Sequence, residues 1–203
     1  MATTPLVLLL LIPFISKGQE QPKLGIEHYQ YWSAGSKNSM IPVVNFTTKK
    51  KGYAECRYNY EEVNTFSVFG GKIMEGGKAF HYRFIPMLGI SAGDFTGVSV
   101  ATKTDFEWKR FFLSAEMQYS TSFHNKRSNF LFNWSELGYG ISDIFFCGLS
   151  MQYLHAKKSG NFEPGLMAGV NYKKITLPLY VFSPFKSSRY FVLGVNYAFT
   201  LKQ

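Results

Sequence analysis

The sequence predicts an all-β fold, a transmembrane antiparallel up-and-down β-barrel of about 12 strands. Three observations lead to this prediction. From about residue 40 to Phe199, short segments alternate apolar and polar side chains one for one. The large apolar residues share one face, while the other face carries Glu, Arg, Lys and Asp beside Gly and Ser. The connections alternate between tight turns and longer loops. Because a water-soluble barrel buries its bulky residues inside, an apolar outer face indicates a barrel bathed in lipid.

The N-terminus contains the longest apolar run of the chain, residues 6–15. It is too short to cross a bilayer as a helix, which needs about 20 residues. Small residues follow it, with Ser16 and Gly18 at the positions that signal peptidase reads before a cut. We therefore predict a cleaved signal peptide over residues 1–18 and one barrel domain over residues 19–203.

The strands follow from the alternating segments and from their spacing. A weakly alternating segment near residue 26 completes a set of twelve; ten strands is the alternative, if the region before Tyr53 is a plug or a lead-in. The alternation breaks at 133–136, where we predict a β-bulge. The predicted strands lie near 26–32, 40–48, 53–60, 64–72, 79–90, 97–108, 110–120, 129–139, 143–154, 163–173, 174–182 and 189–200.

The parity of each segment assigns residues to the lipid-facing side. Tyr and Trp near strand ends suit the aromatic girdles at the two membrane interfaces. We assign to the girdles Tyr60, Trp108, Tyr119, Trp134, Tyr153, Tyr172 and Tyr197. We assign to the lipid-facing surface Tyr58, Phe66, Val68, Phe80, Tyr82, Phe84, Val98, Val100, Phe106, Trp108, Leu113, Met117, Phe130, Phe132, Leu149, Met151, Leu166, Val170, Leu177, Leu179, Leu193 and Val195. Both cysteines, Cys56 and Cys147, also fall on this parity and are expected to be unpaired thiols.

The opposite parity predicts a charged wall in the lumen. A two-residue turn at 109–110 would place Lys103 opposite Glu116, and a symmetric loop at 91–97 would place Arg83 opposite Asp105. Opposite charges then meet across neighbouring strands, which stabilises them. The predicted lumen-lining charged residues are Glu55, Arg57, His81, Arg83, Lys103, Asp105, Glu107 and Glu116.

A second lumenal wall is poor in charge and rich in small residues. Three interpretations of the lumen stay open: side chains pack it shut, it is a passive pore for small solutes, or it holds an apolar molecule. The predicted members of this wall are Gly148, Ser150, Gln152, Gly165, Met167, Gly169, Tyr180, Phe182, Gly194 and Asn196.

The sequence offers little for catalysis or metal binding. The four His residues have no metal-ligand spacing, and we expect no metal, no cofactor and no catalytic residue. Ser150 precedes His155 by five positions, and Ser99 falls within a strand or two of His81, but no nucleophile turn or oxyanion motif accompanies either pair. The net charge of +9 invites a nucleic-acid interpretation. We reject it because Lys and Arg fall mostly in connections and not along one face.

Taken together, the exported N-terminus, the alternating strands and a last strand ending in Tyr197 and Phe199 resemble the small outer-membrane β-barrel proteins of Gram-negative bacteria, the porin-like barrels. The resemblance implies an outer-membrane location and a terminal aromatic strand that the barrel-assembly machinery reads. Residues 200–203 depart from the pattern by following the terminal aromatic residue. The resemblance is architectural, so it says little about activity.

We expect an integral outer-membrane barrel with a structural role or a passive small-solute pore. Two alternatives are a barrel enzyme acting on lipid, and an adhesion or assembly-partner barrel that uses its basic outer loops. The expected partners are outer-membrane lipid and lipopolysaccharide, with no nucleic acid; the sequence names no specific protein partner. The basic outer-loop residues are Lys126, Arg127, Lys157, Lys158, Lys186 and Arg189.

Overall fold

The computed structural model describes residues 21–33, 38–157 and 159–201. The predicted signal peptide lies outside the described residues. Within the described part no helix is long and apolar enough to span a bilayer. The strands are β1 Lys23–Ser33, β2 Ser39–Thr47, β3 Gly52–Tyr58, β4 Phe66–Lys72, β5 Met74–Gly76, β6 Phe80–Ala92, β7 Gly97–Trp108, β8 Phe111–Ser122, β9 Phe130–Gly140, β10 Phe145–Ala156, β11 Ser159–Tyr172, β12 Ile175–Phe182 and β13 Tyr190–Thr200, with a 3₁₀ turn at Lys126–Ser128.

These strands form one closed antiparallel barrel with twelve strand positions in the described chain. Each strand pairs with the next one along the chain, and β4 and β5, separated by Ile73, both pair with β6 and share one position. β1 pairs along its whole length with β13, which closes the barrel and leaves no free edge in the sheet of described strands. The prediction of an up-and-down barrel is confirmed, with twelve positions and not ten, because the weakly alternating segment of β1 supplies the closing strand.

The two ends of the barrel differ. One end, called the turn end here, carries the short connections and also the start of β1 and the end of β13. The opposite loop end carries most of the longer connections. The turn end comprises 48–51, 77–79, 109–110, 141–144 and 173–174; the loop end includes 59–65, 93–96, 123–129 and 183–189.

The outer face of the barrel is almost free of charge. Among the outward positions of the described strands, Lys72 at the end of β4 is the one residue with a formal charge. Large apolar side chains such as Leu88, Val100 and Leu149 are 58–69% exposed there. A continuous apolar belt of this kind is foreign to a water-facing surface and matches the lipid-facing band of a membrane barrel.

Strand β9 corrects three of the predicted positions, and its inward face corrects a fourth, Tyr60. Its pairing with β8 runs without interruption from Ser120 opposite Phe130 to Phe111 opposite Tyr139, so the predicted bulge is absent and no residue is inserted. The even-numbered residues of β9 therefore face the lumen. Phe130, Phe132 and Trp134, predicted on the outside, lie inside, and Tyr60, predicted in a girdle, contacts Phe132 with ring centroids 5.7 Å apart.

The polar residues of β9 that face outward satisfy each other. Ser135 Oγ donates to Asn133 Oδ1 at 3.0 Å, and Asn133 Nδ2 donates to the backbone carbonyl of Glu116 at 3.2 Å. These bonds reduce the cost of placing polar groups on an apolar surface. The inward aromatic rings of β9 contact other rings in the lumen, Phe130 with Phe95 and Trp134 with Tyr180.

Two apolar clusters fill much of the interior. Several of their rings, and others nearby, lie over glycines of the neighbouring strand: Phe69 lies over Gly89, and Phe112 lies over Gly138. The missing side chain is what makes room for each ring. The first cluster comprises Tyr53, Phe69, Ile73, Ile85, Met87 and Ala101; the second comprises Trp134, Met167, Tyr180, Phe182 and Val192, with Tyr29, Tyr31, Phe112, Phe132 and Tyr190 against it.

Candidate lumenal site

A group of four charged side chains, called the central cluster here, lies inside the barrel. It comprises Glu55 and Arg57 of β3, Lys103 of β7 and Glu116 of β8. Arg57 Nη1 lies 2.7 Å from Glu116, and Arg57 Nε donates to Glu55. Lys103 Nζ donates to Glu55 and lies 3.7 Å from the second oxygen of Glu116. The side chains of Arg57 and Glu55 are fully buried, so their charges are compensated by each other and by their partners and not by water.

Arg57 is also held by rings and an amide. Its guanidinium lies 4.2 Å from the ring centroid of Tyr60 and 4.3 Å from that of Phe69. Nη1 donates to Gln118 Oε1 at 2.9 Å, while Nη2 has no hydrogen-bond acceptor among the described residues. Tyr60 donates to Glu116 at 2.7 Å. The cluster therefore joins the β3–β4 loop, β3 and β8 through the lumen, and it narrows the barrel there.

A polar network continues from the cluster toward the loop end. Gln118 Nε2 donates to Glu61 at 3.1 Å and to Ser120 at 2.9 Å, and Ser67 donates to Glu61. On the far wall, Tyr190 donates to Glu163 at 2.6 Å. These contacts occupy lumen on the loop-end side of the central cluster.

Open space lies on the turn-end side. A cavity of about 280 Å³, called the central cavity here, borders the cluster and is lined by Glu27, Asn45 and Glu136 among others. Cavities of about 430 Å³ and 780 Å³ adjoin it and share Arg83 with it. These spaces form a wide vestibule that narrows toward the central cluster.

The predicted charged wall faces the lumen at every position. The two predicted pairings are the observed ones: Lys103 lies opposite Glu116, and Arg83 lies opposite Asp105 with 3.8 Å between the charged groups. The structure gathers Glu55, Arg57, Lys103 and Glu116 into the central cluster. It leaves Arg83 and Asp105 half-exposed in the vestibule and places His81 and Glu107 at its mouth. The role of these residues in conduction stays a prediction.

Sequence reasoning missed part of the acidic lining. Glu27, Glu75, Glu136 and Glu163 also face the lumen. Strict parity carried through β1 and β9 would have identified Glu27 and Glu136. Counting the described strands, lumen-facing positions hold eight acidic residues against four basic ones, with His81 besides. The acidic set is Glu27, Glu55, Glu75, Asp105, Glu107, Glu116, Glu136 and Glu163, and the basic set is Lys23, Arg57, Arg83 and Lys103.

The basic outer-loop residues lie apart from the lumen. Lys126 and Lys157 are exposed beside an external groove of about 870 Å³, which His155 also lines. Lys186 and Arg189 are exposed in the β12–β13 loop. The side chain of Arg127 and the whole of Lys158 fall outside the described residues.

The two Ser–His pairs considered from sequence are not assembled. Ser150 faces the lumen, where it accepts a hydrogen bond from Trp134 Nε1 at 3.1 Å, while His155 lies on the opposite parity of the same strand. His81 is eight positions along β6 from Gly89, the partner of Ser99, which amounts to roughly 26 Å at the strand rise. Among the described residues no group of three or more His, Cys, Asp or Glu could hold a metal ion.

Comparison with solved structures finds porins. The chain is similar to a structure of the KdgM porin, with a TM-score of 0.61 and 14% identity over 86% of this chain and 99% of that one. A KdgM porin in complex with disordered oligogalacturonate gives a TM-score of 0.61 at 13% identity, with the same coverage. A NanC porin gives a TM-score of 0.58 at 10% identity, over 87% of this chain and 100% of that one. No family model matches the sequence, and no curated protein matches it significantly. The fold is that of a porin-like barrel.

Proposed function

We propose that this barrel is a passive outer-membrane channel for small solutes that prefers cations. The observation that carries the proposal is the acidic surplus on the lumen-facing strand positions, in a chain whose overall charge is +9. Charge that lines a pore acts at short range and through little water, so it selects ions more strongly than charge on distant loops. The likeness to porins supports the channel role.

The narrow part of the lumen sets the preference. In the central cluster the charges of Arg57 and Lys103 offset those of Glu55 and Glu116. Beside it, Glu27 and Glu136 line the central cavity without an ion pair among the described residues. A permeating ion at this level therefore meets four carboxyl groups against two cationic side chains, while the basic turns contribute only at the wide mouth.

An acidic oligosaccharide is a poor candidate substrate. One of the similar porins has oligogalacturonate, a polycarboxylate, in its structure. In this chain a polycarboxylate would have to approach eight lumenal carboxylates, two of them unpaired at the narrow level. We therefore assign this chain small cations and small neutral solutes.

The loop end suits the lipopolysaccharide-facing side of the membrane. Short turns lie on the periplasmic side of bacterial outer-membrane barrels, which would orient the vestibule toward the periplasm. Lys126 and Lys157 beside the external groove could then pair with lipid phosphates. Replacing both lysines with Gln should reduce co-purifying lipopolysaccharide, whereas Lys49→Gln with Lys50→Gln at the turn end should not. Equal lipid content in both variants would argue against this contact.

The channel is tested in planar bilayers with the refolded full-length chain under asymmetric KCl. We expect a small conductance whose reversal potential has the sign of a cation-selective pore. Glu27→Gln with Glu136→Gln should shift the reversal potential toward zero. Glu107→Gln, at the wide mouth, is the matched control and should leave it nearly unchanged. An anion-selective pore or the absence of conductance would contradict the proposal, and the latter would leave a closed barrel.

A further inference from the structure

The central cavity is lined by aromatic rings that come from distant parts of the chain. Tyr29 of β1, Trp134 of β9 and Tyr180 of β12 all border it. The ring centroids of Tyr29 and Trp134 are 5.4 Å apart with planes tilted by 54°, and those of Trp134 and Tyr180 are 5.1 Å apart at 74°. Because the three rings are tilted against each other, their faces point in different directions. They can therefore contact a ligand from more than one side. The negative faces of aromatic rings attract cations.

Two carboxylates adjoin these rings. Glu27 accepts hydrogen bonds from Tyr29 Oη at 3.2 Å and from Asn45 Nδ2 at 2.9 Å. Glu136 accepts from Tyr180 Oη at 2.8 Å. These bonds fix both carboxylates beside the rings. Across the described chain neither carboxylate has a cationic partner within ion-pair distance, and the hydrogen bonds that hold them come from neutral donors.

The cationic side chains that line the cavity are already paired with other carboxylates. Arg57 is paired with Glu55 and Glu116, Lys103 with Glu55, and Arg83 with Asp105. Arg57 is further fixed between two rings, so it cannot turn toward Glu27 or Glu136 without breaking these contacts. Around the cavity each cationic side chain therefore has a carboxylate partner, while Glu27 and Glu136 are carboxylates without one among the described residues.

This combination selects the chemical class of the ligand. A hard metal ion prefers six or more oxygen ligands, and aromatic faces offer none. An organic ammonium ion gains from both features, because its charge attracts the carboxylates and its alkyl groups pack on the rings. A volume of about 280 Å³ limits the ligand to a small molecule.

We propose that the central cavity is a binding site for small organic ammonium ions, held against Tyr29, Trp134 and Tyr180 and neutralised by Glu27 and Glu136. The proposal rests on the proposed function, since it names the class of cation that the channel would admit. The site lies directly on the turn-end side of the central cluster. A bound ammonium ion would therefore occupy the passage immediately beside its narrow part.

The test is calorimetric titration of the folded full-length protein in detergent micelles with choline chloride. We expect saturable binding that is weakened roughly tenfold or more in Trp134→Leu, which keeps apolar volume but loses the ring, and in Glu136→Gln, which keeps shape but loses charge. Trp108→Leu, on the outer face, is the matched control and should bind choline like the parent. The neutral isostere 3,3-dimethylbutan-1-ol should bind at least roughly tenfold more weakly than choline.

Binding that fails in the parent, or that is equal in Glu136→Gln, overturns the proposal. Equal binding of the neutral isostere overturns it as well, because the cavity would then be merely apolar. If Trp134→Leu does not fold, as judged by gel mobility without boiling, the isosteric Glu136→Gln variant decides. Binding in micelles does not require conductance, so the two proposals can be tested separately. Choline binding without conductance would contradict only the proposed channel function. Conductance without choline binding would contradict only the proposed binding site.

Discussion

The ion pair between Arg57 and Glu116 offers a quantitative test of how the central cluster stabilises the barrel. At 2.7 Å, the attraction between the two charges is about 6 kcal/mol at an effective dielectric constant of about 20. Much of that attraction offsets the cost of removing both ions from water. Arg57→Met should nevertheless lower the free energy of unfolding by about 3–5 kcal/mol, because it leaves the fully buried Glu55 and the nearby Glu116 with Lys103 as their one remaining cation in the cluster.

The assay is urea-dependent folding into phospholipid vesicles, followed by the mobility of unboiled samples on gels. The double variant Arg57→Met with Glu116→Gln removes one charge of each sign. Its loss should be smaller than the sum of the two single losses, with a coupling energy of about 2–3 kcal/mol. The matched control is the half-exposed pair of Arg83 and Asp105, 3.8 Å apart, where the same cycle should give less than about 1 kcal/mol.

Two results would refute this reasoning. Losses that add within about 0.5 kcal/mol for Arg57 and Glu116 would mean that the two charges do not interact in the folded protein. A coupling energy in the control cycle as large as that of the buried pair would mean that burial is not what strengthens the cluster.

Three further predictions concern the two faces of the barrel, its internal packing and its conductance. Leu149→Arg places a charge on the lipid-facing surface and should cost about 2–4 kcal/mol of vesicle-folding stability, whereas Ser114→Arg in the vestibule should cost far less; equal losses would contradict the assigned parity. Gly138→Val would overlap the Phe112 ring and should lower stability by about 1–3 kcal/mol, with part of the loss recovered by adding Phe112→Ala; an unchanged urea midpoint for Gly138→Val would show that the ring can move away freely. Trp134→Ala should raise single-channel conductance because its ring bounds the central cavity, and a conductance equal to that of the parent would place the limiting constriction elsewhere.

The strand register was predictable wherever a tight turn adjoins strict alternation. In the β7–β8 hairpin, the two-residue turn and the two-residue period together determine that Lys103 lies opposite Glu116. The prediction of which residues of β9 face outward was wrong because both faces of this strand carry large residues in its first half. With Phe130 and Phe132 on one face and Leu131 on the other, hydrophobicity alone does not tell which face is lumenal. The unbroken pairing with β8 decides it.

The central cluster was only partly predictable for a different reason. Cross-strand neighbours follow from register, but contacts through the lumen depend on the curvature of the closed barrel and on loop conformation. The hydrogen bond from Arg57 to Gln118 joins residues on strands that are not neighbours. Tyr60 lies in a loop, where alternation no longer predicts the direction of a side chain, and it packs inward against Arg57. Sequence parity predicted which charged residues face the lumen, but it did not predict which of them contact each other.

The central claim is that alternate residues of each strand face lipid and a water-filled lumen. The most direct measurement is labelling of single cysteines by a membrane-impermeant charged thiol reagent in vesicles, in a background of Cys56→Ser with Cys147→Ser. The vestibule variant Asp105→Cys should react rapidly, and the outward variants Val100→Cys and Thr104→Cys should be protected until detergent unfolds the barrel. Reaction of all three at the same rate in vesicles, or protection of Asp105→Cys alone, would contradict the claim.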